Sequence, residues 1–524
     1  MGNSGSSLQT CLNNVCNNRT NCVSYPSNPL YQIAWVKPYN LDIEVTPVAV
    51  IRPTTAQDIS AIVKCAVAND VKVQAKSGGH SYGNFGLGGK DGAISIDMTH
   101  FQDFSVDTKT WQATVGAGTL LGDLNTRLHD NGKRAVAHGS CPGVGIGGHA
   151  TIGGLGAMSR MWGSLLDHVV EVEVVTADGS IKRASSTENQ DLFWAIKGAG
   201  ANFGVVTQFV LRTHPEPGSV VQFLYTVSFG KQADMASTFT AWQNIVFDMN
   251  LDRRFGTEFI MEPLGCIITG TFYGSQAEFN ATGIQGRFPK GGKFSFTIND
   301  WLASTIKHAE NEALHISSVA IPFYSKSLGF RQQDAIPPSK VQDILSWIDT
   351  VNKGTLLWFV VFDAEGGAIN DVPMNATAYA QRDKVMFYQS YAIGLPLSQT
   401  TRDFLTNFHN KVIDTLPASD QDEGGVGTYA GYVDPALSNA QQAYWGDNLP
   451  RLEQVKQTYD ANDVFSNPQG VRPAQTTTSS SNSSSTTDTP PSPSATSSAV
   501  RASKSSLDRL YLGILLVCFF HVLL

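Results

Sequence analysis

Two glycine-rich loops in residues 77–163 each carry one side chain able to bond covalently to a cofactor. The first reads Ser77-Gly78-Gly79-His80-Ser81-Tyr82-Gly83, and the second, HGSCPGVGIGGHATIGGLGAMSRMWG over residues 138–163, contains Cys141. Glycine loses more backbone entropy on folding than any other residue, so glycines this dense do not stabilise a helix or strand; they fit where backbone touches something flat or phosphorylated. Gly143, Gly145 and Gly148 formally match the G-x-G-x-x-G fingerprint of a Rossmann loop. Such a loop follows the first strand of a βαβ unit, whereas more than a hundred ordered-looking residues precede this one. A large cofactor held by both loops is therefore expected.

These residues resemble the FAD-linked oxidases with a vanillyl-alcohol-oxidase-type (PCMH-type) flavin domain, specifically the berberine-bridge-like branch that includes fungal glucooligosaccharide oxidase. The resemblance covers residues 11–473. It implies a bicovalent FAD, with His80 of SGGHSYG on the 8-methyl group and Cys141 of G-[ST]-C-P on C6 of the ring, the two lying 61 residues apart. It also implies cofactor contacts from Ser77, Gly78, Gly79, Ser81, Tyr82, Gly143, Val144, Gly145, Gly148, Gly153 and Gly154. The third glycine cluster, Gly198, Gly200 and Gly204 with Val205, is expected on the flavin pyrophosphate. No metal is implied.

Oxidising an alcohol with a flavin needs a base for the hydroxyl proton. Tyr429 and Tyr432 of YAGYVD correspond to the family's Y-x-N-Y-x-D, which implies Tyr429 as the base. A tyrosine pKa of about 10 requires help, and Asp363 of WFVVFDAEGG, aligned with the aspartate of W-x-Q-x-D-x-x-G-G, is the expected partner. Gln389 in FYQSY and Tyr82 align with residues near sugar and cofactor. Three departures bear on substrate: Val361 replaces a sugar-binding glutamine, Phe359 a stacking tryptophan, and Gly431 an asparagine. The substrate pocket is expected to be more apolar than in a typical oligosaccharide oxidase.

The elements that must position these residues are of an α+β kind. A strand is expected within residues 45–53, an amphipathic helix over 55–69 with Ile59, Ile62, Val63 and Ala66 on one face, and a strand running into the His80 loop. Further elements are expected at 93–97, 111–115 and 120–131. HVVEVEVVTADGSIKRAS reads as a hairpin about Asp178-Gly179. Residues 1–44 form an extension with disulfides and 45–216 an FAD-binding domain, with a linker at 215–218. Residues 217–440 form a substrate domain, an antiparallel sheet with helices on one face, built from VVQFLYTVSF, GCIITGTFYG, TLLWFVVFDA and KVMFYQSYAIG. Residues 441–473 return to the FAD domain.

At 524 residues with 42% hydrophobic content, the chain can bury the cores of two or more domains. Charged residues are 16%, against roughly 25% in an average domain, and the net charge is −8, which argues against nucleic acid as a partner. N-x-[ST] sequons at Asn18, Asn280, Asn375 and Asn482 point to secretion. By the resemblance Cys11 pairs with Cys65; Cys16 with Cys22 is the remainder, and Cys266 is left as a buried thiol. Residues 1–11 lack a signal-peptide pattern, so a leader upstream of Met1 is expected; Gly2 and Ser6 match a myristoylation pattern that sequons and disulfides oppose.

Residues 474–498 collapse to Ser, Thr and Pro, the composition of an O-glycosylated stalk. Residues 499–524 read as a GPI signal: Ser497, Ser498 and Ala499, a polar spacer, then a 15-residue apolar end, shorter than the roughly 20 residues that span a bilayer. Nothing specifies an oligomeric state, and a monomer is expected. The expected function is a secreted, lipid-anchored FAD oxidase taking a small-molecule substrate and O2, converting the anomeric hydroxyl of a sugar to the lactone and yielding H2O2. The competing readings are a berberine-bridge-like oxidase of an aromatic or terpenoid metabolite and a catalytically silent, wall-tethered binding protein.

Overall fold

The computed structural model describes residues 4–227, 230–313, 320–421 and 425–475. The stalk and tail expected beyond them, with Asn482, lie outside the described residues. Among the described residues no helix is long and apolar enough to cross a membrane. Asn18, Asn280 and Asn375 are all exposed.

The first sheet runs in the order Val23–Ser24, Ala49–Ile51, Ile94–Asp97, Val73–Lys76, with its last three strands parallel. The strand expected over 45–53 shortens to Ala49–Ile51 because Pro47 and Pro53 on either side have no N–H to donate. Helix Ala56–Ala68 crosses between strands. Its Thr55 cap accepts from the Asp58 N–H at 3.1 Å, and Ile59, Ile62, Val63 and Ala66 are buried on one face.

Within the N-terminal extension, helix Ser4–Cys16 sets Leu8 and Leu12 into the same core as helix Ala56–Ala68. Disulfides Cys11–Cys65 and Cys16–Cys22 lock it there. Cys11 and Cys65 are 54 residues apart, a loop whose closure entropy is worth about 4 kcal/mol in the chain-entropy model. Cys11→Ala is accordingly expected to lower the unfolding free energy by about 2–5 kcal/mol in a denaturant titration under oxidising conditions.

The second sheet is antiparallel, in the order Phe104–Asp107, Gln112–Gly116, Val205–Arg212, Val169–Val175, Ile181–Ser185. Its last two strands form the hairpin, with Gly179 at φ 76° supplying the left-handed turn position. Pro215, the first residue of the stretch read as a linker, is paired: His214–Pro215 forms a short ladder with Arg134–Ala135.

The third sheet has seven antiparallel strands, in the order Lys293–Asn299, Val220–Thr226, Gly265–Phe272, Phe255–Glu262, Leu357–Ala364, Lys384–Ile393, Phe323–Arg331. Three of these strands, Phe255–Glu262, Lys293–Asn299 and Phe323–Arg331, were not expected. Helices Ala236–Val246, Pro338–Thr350 and Gln399–Ile413 supply apolar residues to the core that includes Trp242, Phe259, Phe362 and Tyr388. Side chains directly opposite across a ladder share a face, so Thr269, Glu258, Asp363 and Phe387 form one rung and Ile260, Val361, Gln389 and Ser327 the next.

The chain then returns to the first two sheets, where helix Leu449–Tyr459 buries Leu452 and Val455 in their core. Lys456 fixes this return. Its ammonium, fully buried, donates to Asp460 at 2.6 Å and to the carbonyls of Asn202 and Phe465. Lys456→Met leaves Asp460 as an unpaired buried charge and is expected to cost about 3–5 kcal/mol, read as a fall in the denaturant midpoint.

Candidate active site

The strand Val73–Lys76 runs straight into the first glycine loop, which gives His80 a rigid base. Ser77 Oγ donates to the Ala117 carbonyl at 2.7 Å. The two loops interlock backbone to backbone: a Cβ on Gly78 would stand 2.4 Å from the Gly143 carbonyl oxygen and the Gly145 nitrogen. A Cβ on Gly143 would come within 3.0 Å of His80 Nε2, so the absence of side chains lets the His80 ring lie against the Cys141 loop. Tyr39 spans both anchors, with its ring 4.6 Å from that of His80 and its hydroxyl in the field of Cys141. Cys141 takes part in no disulfide.

Burial pushes the His80 imidazole down to about 4, so the ring is neutral at physiological pH and keeps a nucleophilic nitrogen. The cavity between the loops and the third sheet holds about 350 Å³ and is lined by Ser77, Gly78, Gly79, His80, Ser81, Tyr82, Cys141, Val144, Gly145 and Gly148. A concave, glycine-walled cleft with two convergent nucleophiles fits a flat cofactor carrying phosphates.

Several residues expected on the cofactor do not line that cavity, for packing reasons. Gly204 is small because a Cβ there would stand 2.6 Å from the Val175 carbonyl oxygen, and Val205 is laddered to Val175. Gly143 faces His80, as above. Gly153 and Gly154 serve Tyr429: a Cβ on Gly153 would meet its ring at 2.8 Å, and the Gly154 N–H donates to its hydroxyl at 2.9 Å. Of the third cluster, Gly198 reaches the cavity, while Gly200 packs on Thr151.

The opposite wall is the open face of the seven-stranded sheet. Gln389 donates from its amide to Asp363 Oδ2 at 3.2 Å, while its Oε1 accepts from the Tyr82 hydroxyl at 3.4 Å and from the Tyr391 hydroxyl. Tyr82 and Tyr391 also share a hydrogen bond of 2.6 Å. Val361 sits beside Gln389 on its rung, and Phe359, opposite Tyr391, is buried one step outside the cavity.

The two tyrosines of YAGYVD occupy different surroundings. Tyr429 is 2% exposed; it lines the cavity and packs with Leu155, Leu166, Ile369, Tyr379 and Phe387 in a cluster against which Tyr432 also rests. Burial raises its pKa, opposed by the N–H groups of Gly154 and Leu155 that meet its oxygen. Tyr432 is half-buried at the cavity, with its hydroxyl raised by burial and then by Asp363, Glu365, Tyr391 and Tyr82. Both tyrosines thus line the cavity, but the one in the field of Asp363 is Tyr432, whereas the expected base, Tyr429, has its hydroxyl against Gly154. Strand Phe323–Arg331 holds Tyr432 in place: Ser327 Oγ donates to its carbonyl at 2.6 Å, Ser325 Oγ to the Val433 carbonyl at 2.8 Å, and Lys326 pairs with Asp434 at 2.8 Å.

Tyr39, Tyr391, Glu258 and Glu365 line the cavity and were not anticipated. Tyr391 and Glu365 were within reach of strand alternation, lying two residues beyond Gln389 and Asp363. Tyr39 carries no motif.

A glycine-walled cofactor cleft with two nucleophiles, closed by a sheet bearing Asp363 with Tyr432 on a loop in its field, fits a flavin-dependent oxidase. The comparisons agree. Residues 47–185 match the FAD binding domain model and residues 428–472 the model for berberine and berberine-like proteins. The chain is 38% identical over 474 residues to FAD-linked oxidoreductase sorD of Penicillium rubens, covering 89% of this chain and 99% of that protein. The structure of xylooligosaccharide oxidase from Myceliophthora thermophila C1 in complex with xylobiose matches with a TM-score of 0.81 and 31% identity, over 90% of this chain and 100% of that one. A structure of glucooligosaccharide oxidase from Acremonium strictum, described as carrying 6-S-cysteinyl, 8α-N1-histidyl FAD, matches with a TM-score of 0.79 and 29% identity, over 89% of this chain and 99% of that one. The chain belongs to the FAD-linked, berberine-bridge-like oxidases and is an FAD-dependent oxidoreductase.

Proposed function

We propose that the protein oxidises the anomeric hydroxyl of a mono- or oligosaccharide to the lactone, with O2 reduced to H2O2, using an FAD tethered through His80 and Cys141. The observation that carries this reading is that Tyr432, in the field of Asp363, lines the same cavity as His80 and Cys141. When bound, the flavin supplies the hydride acceptor and hands the electrons to O2. Tyr432 takes the proton from the substrate hydroxyl. Asp363, held by the Gln389 amide, draws the phenolic proton away, which is what a tyrosine with a raised pKa requires to act as a base. Tyr429 instead braces the floor of the site through Gly154.

Val361 favours a second reading, an aromatic or terpenoid alcohol as substrate, because it puts an apolar side chain beside Gln389 in the cavity. The two readings separate in a peroxide assay with cellobiose, xylobiose, chitobiose and a series of aromatic alcohols. Peroxide with lactone formation from the sugars supports the first reading. Turnover confined to the aromatic alcohols supports the second.

Secretion accords with two disulfides and three exposed sequons. Display through a lipid near Ser497 follows from residues 474–524 alone, and phospholipase release from cells tests it.

A further inference from the structure

On the substrate wall most polar side chains already have partners. Gln389 is engaged at both ends of its amide, and Ser327 Oγ faces Thr428 and the Tyr432 carbonyl. Glu365 differs: it lines the cavity, is only 3% exposed, and its Oε2 has no hydrogen-bond partner among the described residues. A buried carboxyl without a partner is costly unless something else completes it. The backbone holds it there firmly. The Glu365 N–H donates to the Val385 carbonyl at 2.8 Å, its carbonyl accepts from Arg160 Nη1 at 2.5 Å, and Gly366 and Gly367, at φ 88° and 60°, turn the chain immediately afterwards.

Its surroundings decide its protonation state. The groups facing it are Asp363 near the end of the preceding strand Leu357–Ala364, Arg160 from helix Ser159–Trp162, and Tyr379, Tyr429 and Tyr432. Burial, then the negative charge of Asp363, raises the carboxyl well above the usual carboxylate range, with Arg160 opposing. These surroundings favour the neutral acid, with a proton to donate, two residues beyond Asp363 and in the field of Tyr432.

We propose that Glu365 is a substrate-binding acid that donates a hydrogen bond to a second substrate oxygen, adjacent to the hydroxyl that Tyr432 deprotonates. This rests on the hydroxyl oxidation proposed above and narrows its substrate class. The substrate carries two neighbouring oxygens, as a cyclic hemiacetal or an α-hydroxy carbonyl does. A simple monoalcohol offers one oxygen and gains nothing from Glu365.

The test is anaerobic flavin reduction of the holoenzyme by cellobiose, xylobiose and benzyl alcohol, with half-saturation and limiting rate read separately. Glu365→Leu is expected to raise half-saturation for the disaccharides about tenfold to a hundredfold and leave benzyl alcohol unchanged. Glu365→Gln, neutral and still a donor, is expected to stay within about threefold of wild type. In the wild type, disaccharide binding is constant below the raised pKa of Glu365 and weakens above it, where the acid becomes a carboxylate that cannot donate. The Gln variant lacks that limb.

Unchanged half-saturation in Glu365→Leu, an equal loss for benzyl alcohol, or a Gln variant as weak as Leu overturns the proposal. Infrared spectroscopy decides the protonation state without turnover: a carboxylic-acid C=O band present in wild type and lost in Glu365→Gln is expected, and its absence from wild type also overturns the proposal. Failure of every probe to reduce the flavin sinks the function reading instead, while the infrared band still reports on Glu365.

Discussion

Tyr432→Phe is expected to slow anaerobic flavin reduction by about 10²- to 10⁴-fold, the usual cost of removing a general base, with the cofactor still bound. The hydroxyl lost is the one in the field of Asp363. Tyr429→Phe removes a different group, one that accepts the Gly154 N–H deep in an apolar cluster. Its expected effect is mainly on stability, about 1–3 kcal/mol for an orphaned buried donor, with the reduction rate within about tenfold of wild type. Stopped-flow traces of both variants separate the roles. A larger loss in Tyr429→Phe would return the base to the tyrosine that the motif alone implies.

The second large effect concerns the tethers. Denatured wild-type protein is expected to keep all its flavin colour, and each single variant, His80→Ala or Cys141→Ser, to keep colour through the remaining bond. The double variant should release its flavin completely on denaturation. Each bond draws electron density from the ring, so each single variant is also expected to show a lower flavin reduction potential. The burial that holds His80 neutral supports its role, because only the unprotonated ring has a nitrogen lone pair to offer. Colour that leaves the denatured wild type entirely would refute covalent attachment.

Much of the flavin side was legible in the sequence because local chemistry governs it. Thr55 and the 3.6-residue spacing of Ile59, Ile62, Val63 and Ala66 specify one helix without tertiary information. The glycines of both loops announce close backbone approach, and the Gly78 to Gly145 contact is such an approach. The substrate side was less legible because its residues answer to partners distant in sequence. Edge strand Phe323–Arg331 carries Ser325, Lys326 and Ser327, buried polar residues that look wrong for the core until the 432–434 loop supplies their partners. Tyr429 and Tyr432 lie in an irregular loop where no periodicity says which one faces the cavity. Gly204, expected on the flavin pyrophosphate by the resemblance, lies close against the Val175 backbone, a contact that no local pattern announces.

The central claim is that this cavity oxidises a hydroxyl with its bound flavin, and the most direct measurement is anaerobic mixing of the purified holoenzyme with the sugar and alcohol panel. The visible flavin band should bleach with at least one hydroxyl substrate and, on admitting O2, return with one equivalent of H2O2. A band that stays unbleached with every member of the panel, in protein whose flavin a chemical reductant does bleach, would contradict the account.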